Sequence, residues 1–254
     1  AANYEVALSP EAAAQYNEVL QEARTLKARI ERAQGGRATA KDLTQLMALL
    51  QLLQQFVISP LLAEHGAAAF KEKVTGPLLL ERASRQPTAS FHALRDELGT
   101  LMLGPAKHKR VVIAANHTTI MDVLRTWLER THPEFGACFS YKGDMTQPKR
   151  LAAKKGFLRS QRSILFLSIG AGGVGLHLVP GCEAMVFWGS MPFSPAHTRQ
   201  CLKRIHRIGQ HSPLTGKVTI LHMVPYGSVD AAIGTVHGDK NALINLVQEG
   251  DDSG

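Results

Sequence analysis

Hydrophobic positions recur at two different spacings along this chain, and the change falls near Lys107. Before it the spacing is helical. Tyr16, Leu20, Ala23, Leu26 and Ile30 share one face of a helix, which Ser9-Pro10-Glu11 opens with an N-cap, a proline at the first helical position and an early acid; Gly35-Gly36 stops it. A second helix runs from about Lys41, with Leu43, Leu46, Met47, Leu50 and Leu53 on a broad face, and ends near Ser59-Pro60. A short helix is expected before Gly66, and an amphipathic segment from Phe91 to Met102 closes at Gly104-Pro105.

Beyond Lys107, short apolar runs alternate with helical segments: VVIAA (111–115), ACFSY (137–141), ILFLS (164–168), AMVFW (184–188) and VTILHMV (218–224). Unbroken apolar runs separated by helices imply buried parallel strands in a sheet covered on both faces. Ligands of such sheets gather at the carboxyl ends of the strands. Two segments occupy that position, the glycine-rich loop after Ser168 and GSMPFSP after Trp188. No internal repeat stands out, and the tail EGDDSG is expected to be frayed.

Composition narrows the class. At 254 residues and 44% hydrophobic, the chain can bury the core of one large or two small domains. A formal charge of +8 favours a polyanionic partner, nucleic acid before an anionic membrane surface, although a merely basic soluble surface gives the same number. Cys138, Cys182 and Cys201 lie far apart, which indicates neither a disulfide framework nor a cysteine-rich zinc site and suits a reducing, intracellular compartment. The polar, acidic opening AANYEVALSPEAAAQYNEVL has no apolar signal-peptide core. Residues 163–182 are uncharged, but five glycines, Pro180 and His177 argue against a membrane span.

The glycine loop, Gly170-x-Gly172-Gly173-x-Gly175, imitates a dinucleotide fingerprint. That fingerprint requires a full helix after the last glycine and an acid about 20 residues on. Here Val179-Pro180-Gly181 breaks the chain at once, Glu183 comes too early, and no acid follows until Asp230. A Walker A loop is excluded too, because Leu176-His177 stands where Lys-Ser/Thr would be. Four glycines in six residues carry a large backbone entropy cost, which favours close approach of a partner over a plain tight turn.

Residues 194–210, SPAHTRQCLKRIHRIGQ, read as a helix from Ser194-Pro195 to Gly209. Gln200, Arg204 and Arg207 share a face, beside an apolar stripe of Cys201, Ile205 and Ile208 that would dock on the sheet. No Asp or Glu lies between Ala184 and Val229, so these arginines have no local carboxylate and suit phosphate. Taken alone, the helix reads equally well as a solvated basic face or a general DNA-backbone contact. Residues 142–162 hold Lys142, Lys149, Arg150, Lys154, Lys155, Arg159 and Arg162 against Asp144 only, either a solvated face or a DNA-phosphate contact. Asp122 and Glu129 read as solvated helix residues. Cys201, His206 and His211 are spread around a helix and do not converge on a metal.

These stretches together resemble the C-terminal RecA-like lobe of the SWI/SNF-type chromatin-remodelling ATPases of helicase superfamily two. The family's motif V, Ser-Thr-Arg-Ala-Gly-Gly-x-Gly-Leu-Asn-Leu, corresponds to SIGAGGVGLHL (168–178), and its motif VI, Gln-x-x-x-Arg-x-His-Arg-Ile-Gly-Gln, appears in full as QCLKRIHRIGQ (200–210). VVIAANHTTIMDVL (111–124) resembles the motif IV strand and helix, and YKGDMTQPKR (141–150) the segment whose glycine and distal arginine follow the next strand. VALSPEAAAQYNEVL (6–20) is similar to the stretch joining the two lobes. LLQLLQQFVISPLL (49–62) resembles a helix ending in His-Pro, with Ser59 in place of the histidine.

The resemblance implies an α/β fold: a RecA-like parallel sheet with helices on both faces, preceded by an N-terminal helical segment. Residues 1–105 would be a helical linker or insertion leading from a first lobe absent from this chain, and 106–250 the helicase C-terminal lobe. It implies ATP bound between the lobes, with Mg²⁺ held by the first. Arg204 and Arg207 would act as arginine fingers, Gly173, Gly175 and Gln200 would line the nucleotide, and Asn116, His117, Thr118 and Ser168 would contact the DNA backbone. Double-stranded DNA or chromatin, and a first lobe in cis or trans, are the implied partners, with no membrane and a nuclear location.

Three departures from the family bear on this. Ile169-Gly170 replaces Thr-Arg in motif V, His177 replaces an asparagine, and Phe193-Ser194 replaces Trp-Asn in an Asp-x-x-Trp-Asn-Pro pattern. No Walker A lysine and no Asp-Glu-x-His box occur, so the chain alone is expected to have no appreciable ATPase, and the first lobe is expected upstream of Ala1. The alternatives are a non-catalytic nucleic-acid-binding or scaffold module derived from such a lobe, and a nicking or RNA-unwinding helicase relative sharing only motif VI.

Overall fold

The computed structural model describes residues 2–4, 8–32, 40–60, 84–171, 176, 178, 181–182, 184–189, 195–205, 218–226 and 228–230. The chain opens with a short strand, β1 (Ala2–Tyr4), followed by α1 (Pro10–Arg32) and α2 (Ala40–Ile58). The N-cap read from the sequence is in place: the Ser9 hydroxyl oxygen accepts the Ala12 N–H at 3.2 Å, satisfying one of the orphan donors of α1. The two helices lie antiparallel. Arg29 pairs with Asp42, Gln45 donates to Glu22, and Tyr16 meets Phe56 edge-on with centroids 6.4 Å apart. The last two turns of α2 are buried, Leu53, Gln54, Phe56, Val57 and Ile58 included. The short helix expected before Gly66 lies outside the described residues.

Helix α3 (Ala89–Met102) follows, started by an extended Thr88 whose hydroxyl donates to the Ile58 carbonyl at 2.7 Å. The five apolar runs then appear as strands in their expected order: β2 (Arg110–Ala115), β3 (Ala137–Tyr141), β4 (Ser163–Ser168), β5 (Ala184–Phe187) and β6 (Thr219–Pro225). Between them lie α4 (Thr118–Thr131), a 3₁₀ turn (Pro133–Phe135), α5 (Gln147–Arg159) and α6 (Pro195–Ile205). The sheet order is β1-β6-β5-β2-β4-β3 and every pairing is parallel. Strand β1 is the element that periodicity misses. Three residues are too few to show alternation, and this one pairs on a single side, to β6 at the sheet edge.

The central strands are buried on both faces, the reason their sequences are continuously apolar rather than alternating. Val111, Ile113, Ile164, Phe166 and Val186 enter one core with α3 and α4, where Phe91, Leu94, Leu98, Met121, Leu124 and Trp127 meet them. Val112, Ala114, Leu165, Leu167, Met185 and Phe187 enter the other, with Phe157 of α5 and Cys201 of α6. Gly156 lets α5 settle on the sheet, since a Cβ there would run into the Phe139 ring of β3. Arg110, at the start of β2, clamps the end of α5. Its guanidinium donates to the carbonyls of Phe157 and Ser160 at 3.1 Å and of Gly181 at 3.4 Å. The Phe157 and Ser160 carbonyls lie at the C-terminus of α5, where the helix dipole favours a cation, and Gly181 belongs to the turn before β5.

Candidate functional site

The site is built by strand register. Ala115 lies opposite Ser168, and Ala114 opposite Phe187, so β2, β4 and β5 end together. Two further backbone bonds of 3.0 Å, Ile169 N–H to Ala115 O and Trp188 N–H to Ala114 O, carry the ladder one residue past the strands. Strand β2 is flanked by β4 and β5, so connections leave this edge in opposite directions. That is the topological switch point where α/β sheets take their ligands. Asn116-His117-Thr118, Ser168-Ile169-Gly170 and Trp188-Gly189 all emerge there.

Six of the nine expected site residues fall among the described residues. Asn116 and Thr118 are half-buried, with Thr118 opening α4; Ser168 is buried at the tip of β4. His117 is the N-cap residue of α4 but makes no capping bond. Its ring is turned to α2, where the Gln55 amide nitrogen lies 3.3 Å from Nδ1. An amide nitrogen only donates, so Nδ1 accepts and the proton sits on Nε2, which is buried without a partner. Burial pushes the imidazole pKa down to about 4, leaving it neutral at physiological pH.

Helix α6 starts at Pro195, and Cys201 is fully buried, its thiol 3.5 Å from the Ile169 carbonyl. The docking stripe therefore works at Cys201, and it ties α6 to the loop after β4. Gln200 is exposed, as are His197, Arg199 and Lys203. Arg204 belongs to the same helix, four residues after Gln200. Arg207, Gly173, Gly175, Ser194, Gly209, Phe193, His177, His206 and His211 lie outside the described residues.

The motif V departure has a physical form. Ile169 is 3% exposed and belongs to the core beneath α6, whereas Gly170 is exposed and a Cβ there would meet nothing within 4 Å. Packing thus uses position 169 and leaves position 170 open to approach.

Several contacts that shape this edge were not expected from the sequence. Asp122, read as a solvated helix residue, is 36% exposed but also engaged: Lys142 Nζ lies 2.6 Å from both its carboxylate oxygens, and 12% of the Lys142 side chain is exposed. Arg150 donates to the carbonyls of Gly143 at 2.7 Å and Met145 at 2.9 Å, joining the two residues the family pattern singles out after β3. The end of α2 reaches the same edge. Gln55 holds His117, Ile58 touches Gly189, and buried Gln54 donates to buried Asp230 at 2.7 Å. Gly189 has φ +75°, and a Cβ would strike Ile58. The one sequence signal for this contact is Gln54-Gln55, an adjacent polar pair that, with Gln51, interrupts the apolar run LLQLLQQFVI. Among the described residues no cluster of His, Cys, Asp or Glu could hold a metal, and no helix is long and apolar enough to cross a membrane.

Comparison with known proteins agrees with this architecture. The family described as "Helicase conserved C-terminal domain" matches residues 90–209. The DNA repair protein RAD5 of Yarrowia lipolytica is 28% identical over 165 residues, covering 65% of this chain and 15% of that protein. DNA repair protein RAD5A of Arabidopsis thaliana is 30% identical over 161 residues, covering 62% and 14%. The chain thus spans only about a seventh of these relatives. Among solved structures, the C-terminal part of the Fun30 ATPase domain superposes with a TM-score of 0.65 at 19% identity, covering 92% of this chain and 87% of that one. The Sulfolobus solfataricus SWI2/SNF2 ATPase C-terminal domain gives 0.58 at 15% identity, covering 97% and 88%.

Proposed function

We propose that this chain, a C-terminal lobe of the SWI/SNF type in helicase superfamily two, serves as the second half of an ATP-driven translocase on double-stranded DNA in the nucleus. The observation that carries the reading is the meeting of three motif-bearing segments at one edge: Asn116–Thr118, Ser168–Gly170 and the helix of Gln200 and Arg204, the last fastened to the second by Cys201 and Ile169.

The donor set suits a polyphosphate. Helix α6 carries Arg199, Lys203 and Arg204 and no acid, and Gln200 and Arg199 are exposed beside the buried anchor. When bound between this lobe and a first lobe that holds Mg²⁺, ATP supplies the free energy of the cycle. Arg204 and Arg207 would neutralise the charge developing on the γ-phosphoryl oxygens, with Gln200 and the Gly173 and Gly175 backbone beside them. Asn116, Thr118 and Ser168 would hold the DNA backbone, so that lobe closure and opening move the DNA without separating its strands. Residues 106–250 would form the lobe and 1–105 the helical region leading into it. His117 would contribute through its place at the start of α4, since its ring is engaged with Gln55.

The experiment is reconstitution. A separately expressed first lobe from a relative, mixed with this chain, should show DNA-stimulated ATP hydrolysis that Arg204→Ala abolishes. Turnover by this chain alone, equal to that of the mixture, would refute the assignment. One observation favours a second reading, a binding module without catalysis: Ile169, which is buried, and Gly170, which is exposed, present neither the hydroxyl nor the cation of motif V. On that reading DNA binds and the mixture stays inactive.

A further inference from the structure

Among the described helices, charge is divided between the two faces of the sheet. On one face, α3 and α4 carry Arg95, Arg125 and Arg130 against Asp96, Glu97, Asp122 and Glu129. On the other, α5 and α6 carry Lys149, Arg150, Lys154, Lys155, Arg159, Arg199, Lys203 and Arg204 and no acid. Several cations near α5 are used internally. Lys142 is held by Asp122, Arg150 by the Gly143 and Met145 carbonyls, and Arg162 donates to the Glu134 carbonyl at 3.0 Å. Lys155 and Arg159 are different. Both are exposed, they stand one turn apart on the side of the helix opposite Phe157, and among the described residues neither has a carboxylate within ion-pair distance.

We propose that this outer face of α5, centred on Lys155 and Arg159, is a second contact for the DNA backbone, separate from the loops at the carboxyl edge. The inference rests on the double-stranded DNA reading above and adds a surface to it. Helix α5 starts beside the carboxyl end of β3 and runs back along the sheet, so its cations lead away from the edge site. Their separation, about 6 Å along the axis, is crossed by duplex DNA in a few phosphates, one charge per about 1.7 Å of its axis. The occupant is DNA rather than an acidic polypeptide because of what the face offers. It is the convex outside of one helix, with two cations that have no carboxylate partner among the described residues and no strand edge to extend, whereas peptides that bind as strands or helices take their affinity from strand edges and apolar grooves. A polyanion with closely spaced charges needs neither.

The test is equilibrium binding of the full chain to a labelled duplex of about 20 base pairs, by fluorescence anisotropy, from about 50 to about 200 mM salt. Lys155→Glu/Arg159→Glu should lower the slope of log K against log salt by about 1.8, from about 0.9 per phosphate contact. Arg95→Glu on the opposite face should leave the slope unchanged, and Lys155→Arg/Arg159→Lys should preserve it. The replaced side chains are exposed, so a melting temperature equal to that of the wild type checks the fold. A wild type that binds with a slope unaltered by the double reversal overturns this surface and leaves the DNA reading intact. A wild type that binds no duplex at about 50 mM salt overturns both. Displacement of the duplex by polyglutamate at equal charge concentration assigns the face to an acidic polypeptide and overturns the proposal.

Discussion

His117→Asn should flatten the acid limb of this protein's stability curve. In the unfolded chain an imidazole takes up its proton near pH 6.5; in the fold, burial pushes that uptake down to about 4. Between those values the unfolded state binds more protons than the folded one, so stability rises with pH and is lost as pH falls through the window. A displacement of about 2.5 pH units at 1.36 kcal/mol each gives about 3 kcal/mol lost between pH 6.5 and 4. Asparagine keeps an acceptor for Gln55 and never takes a proton. The measurement is urea unfolding of both proteins at several pH values from 7.5 to 4. The difference between their unfolding free energies should shift steadily toward the variant below pH 6.5, by about 1 M in midpoint at an m-value of about 3 kcal/mol/M. His222, stacked on Phe187 at 4.6 Å and also held low by burial, acts in the same direction in both proteins and cancels. Curves that stay parallel would show that the ring is free to protonate in the fold, and the Gln55 contact would then be wrong.

Gly170→Arg should strengthen duplex binding and raise the salt slope by about 0.9, because the position is exposed and has open space for a side chain; an unchanged melting temperature alongside would confirm the open space. Arg110→Met should destabilise the fold by about 2–4 kcal/mol in denaturant titration, since three carbonyls lose a charged donor at once. Gly156→Ala, harmless in an ordinary helix, should here lower stability by about 1–3 kcal/mol through the Phe139 collision, and Phe139→Ala should relieve part of that loss in a double-mutant cycle.

What the sequence reveals of this fold is whatever rests on near neighbours. Pro10 and Ser9 start α1, Ser59 follows the end of α2, and the five apolar runs become the five strands within a residue or two, because caps and buried parallel strands carry local signatures. The stripe at Cys201 was legible for the same reason. Contacts between distant residues were not. Asp122 meets Lys142 across 20 residues, and Gln54 meets Asp230 across 176; no periodicity encodes either. The direction of the His117 ring is set by Gln55 on another helix, so a motif can mark the residue's place without showing where its side chain turns. Strand β1 was missed because its identity lies in β6, which completes it from the other end of the chain.

The aromatic layer beneath α3 decides how this protein can be watched. The chain has two tryptophans, and both sit in one core: Trp127 and Trp188 each place their ring 5.5 Å from that of Phe91, and both are nearly sealed from solvent. Intrinsic fluorescence therefore reports on one side of the sheet alone. Loosening of α3 or α4 would redden the emission, while an event on the Lys155 face could leave the spectrum unmoved, so a silent spectrum is no evidence that nothing has bound there.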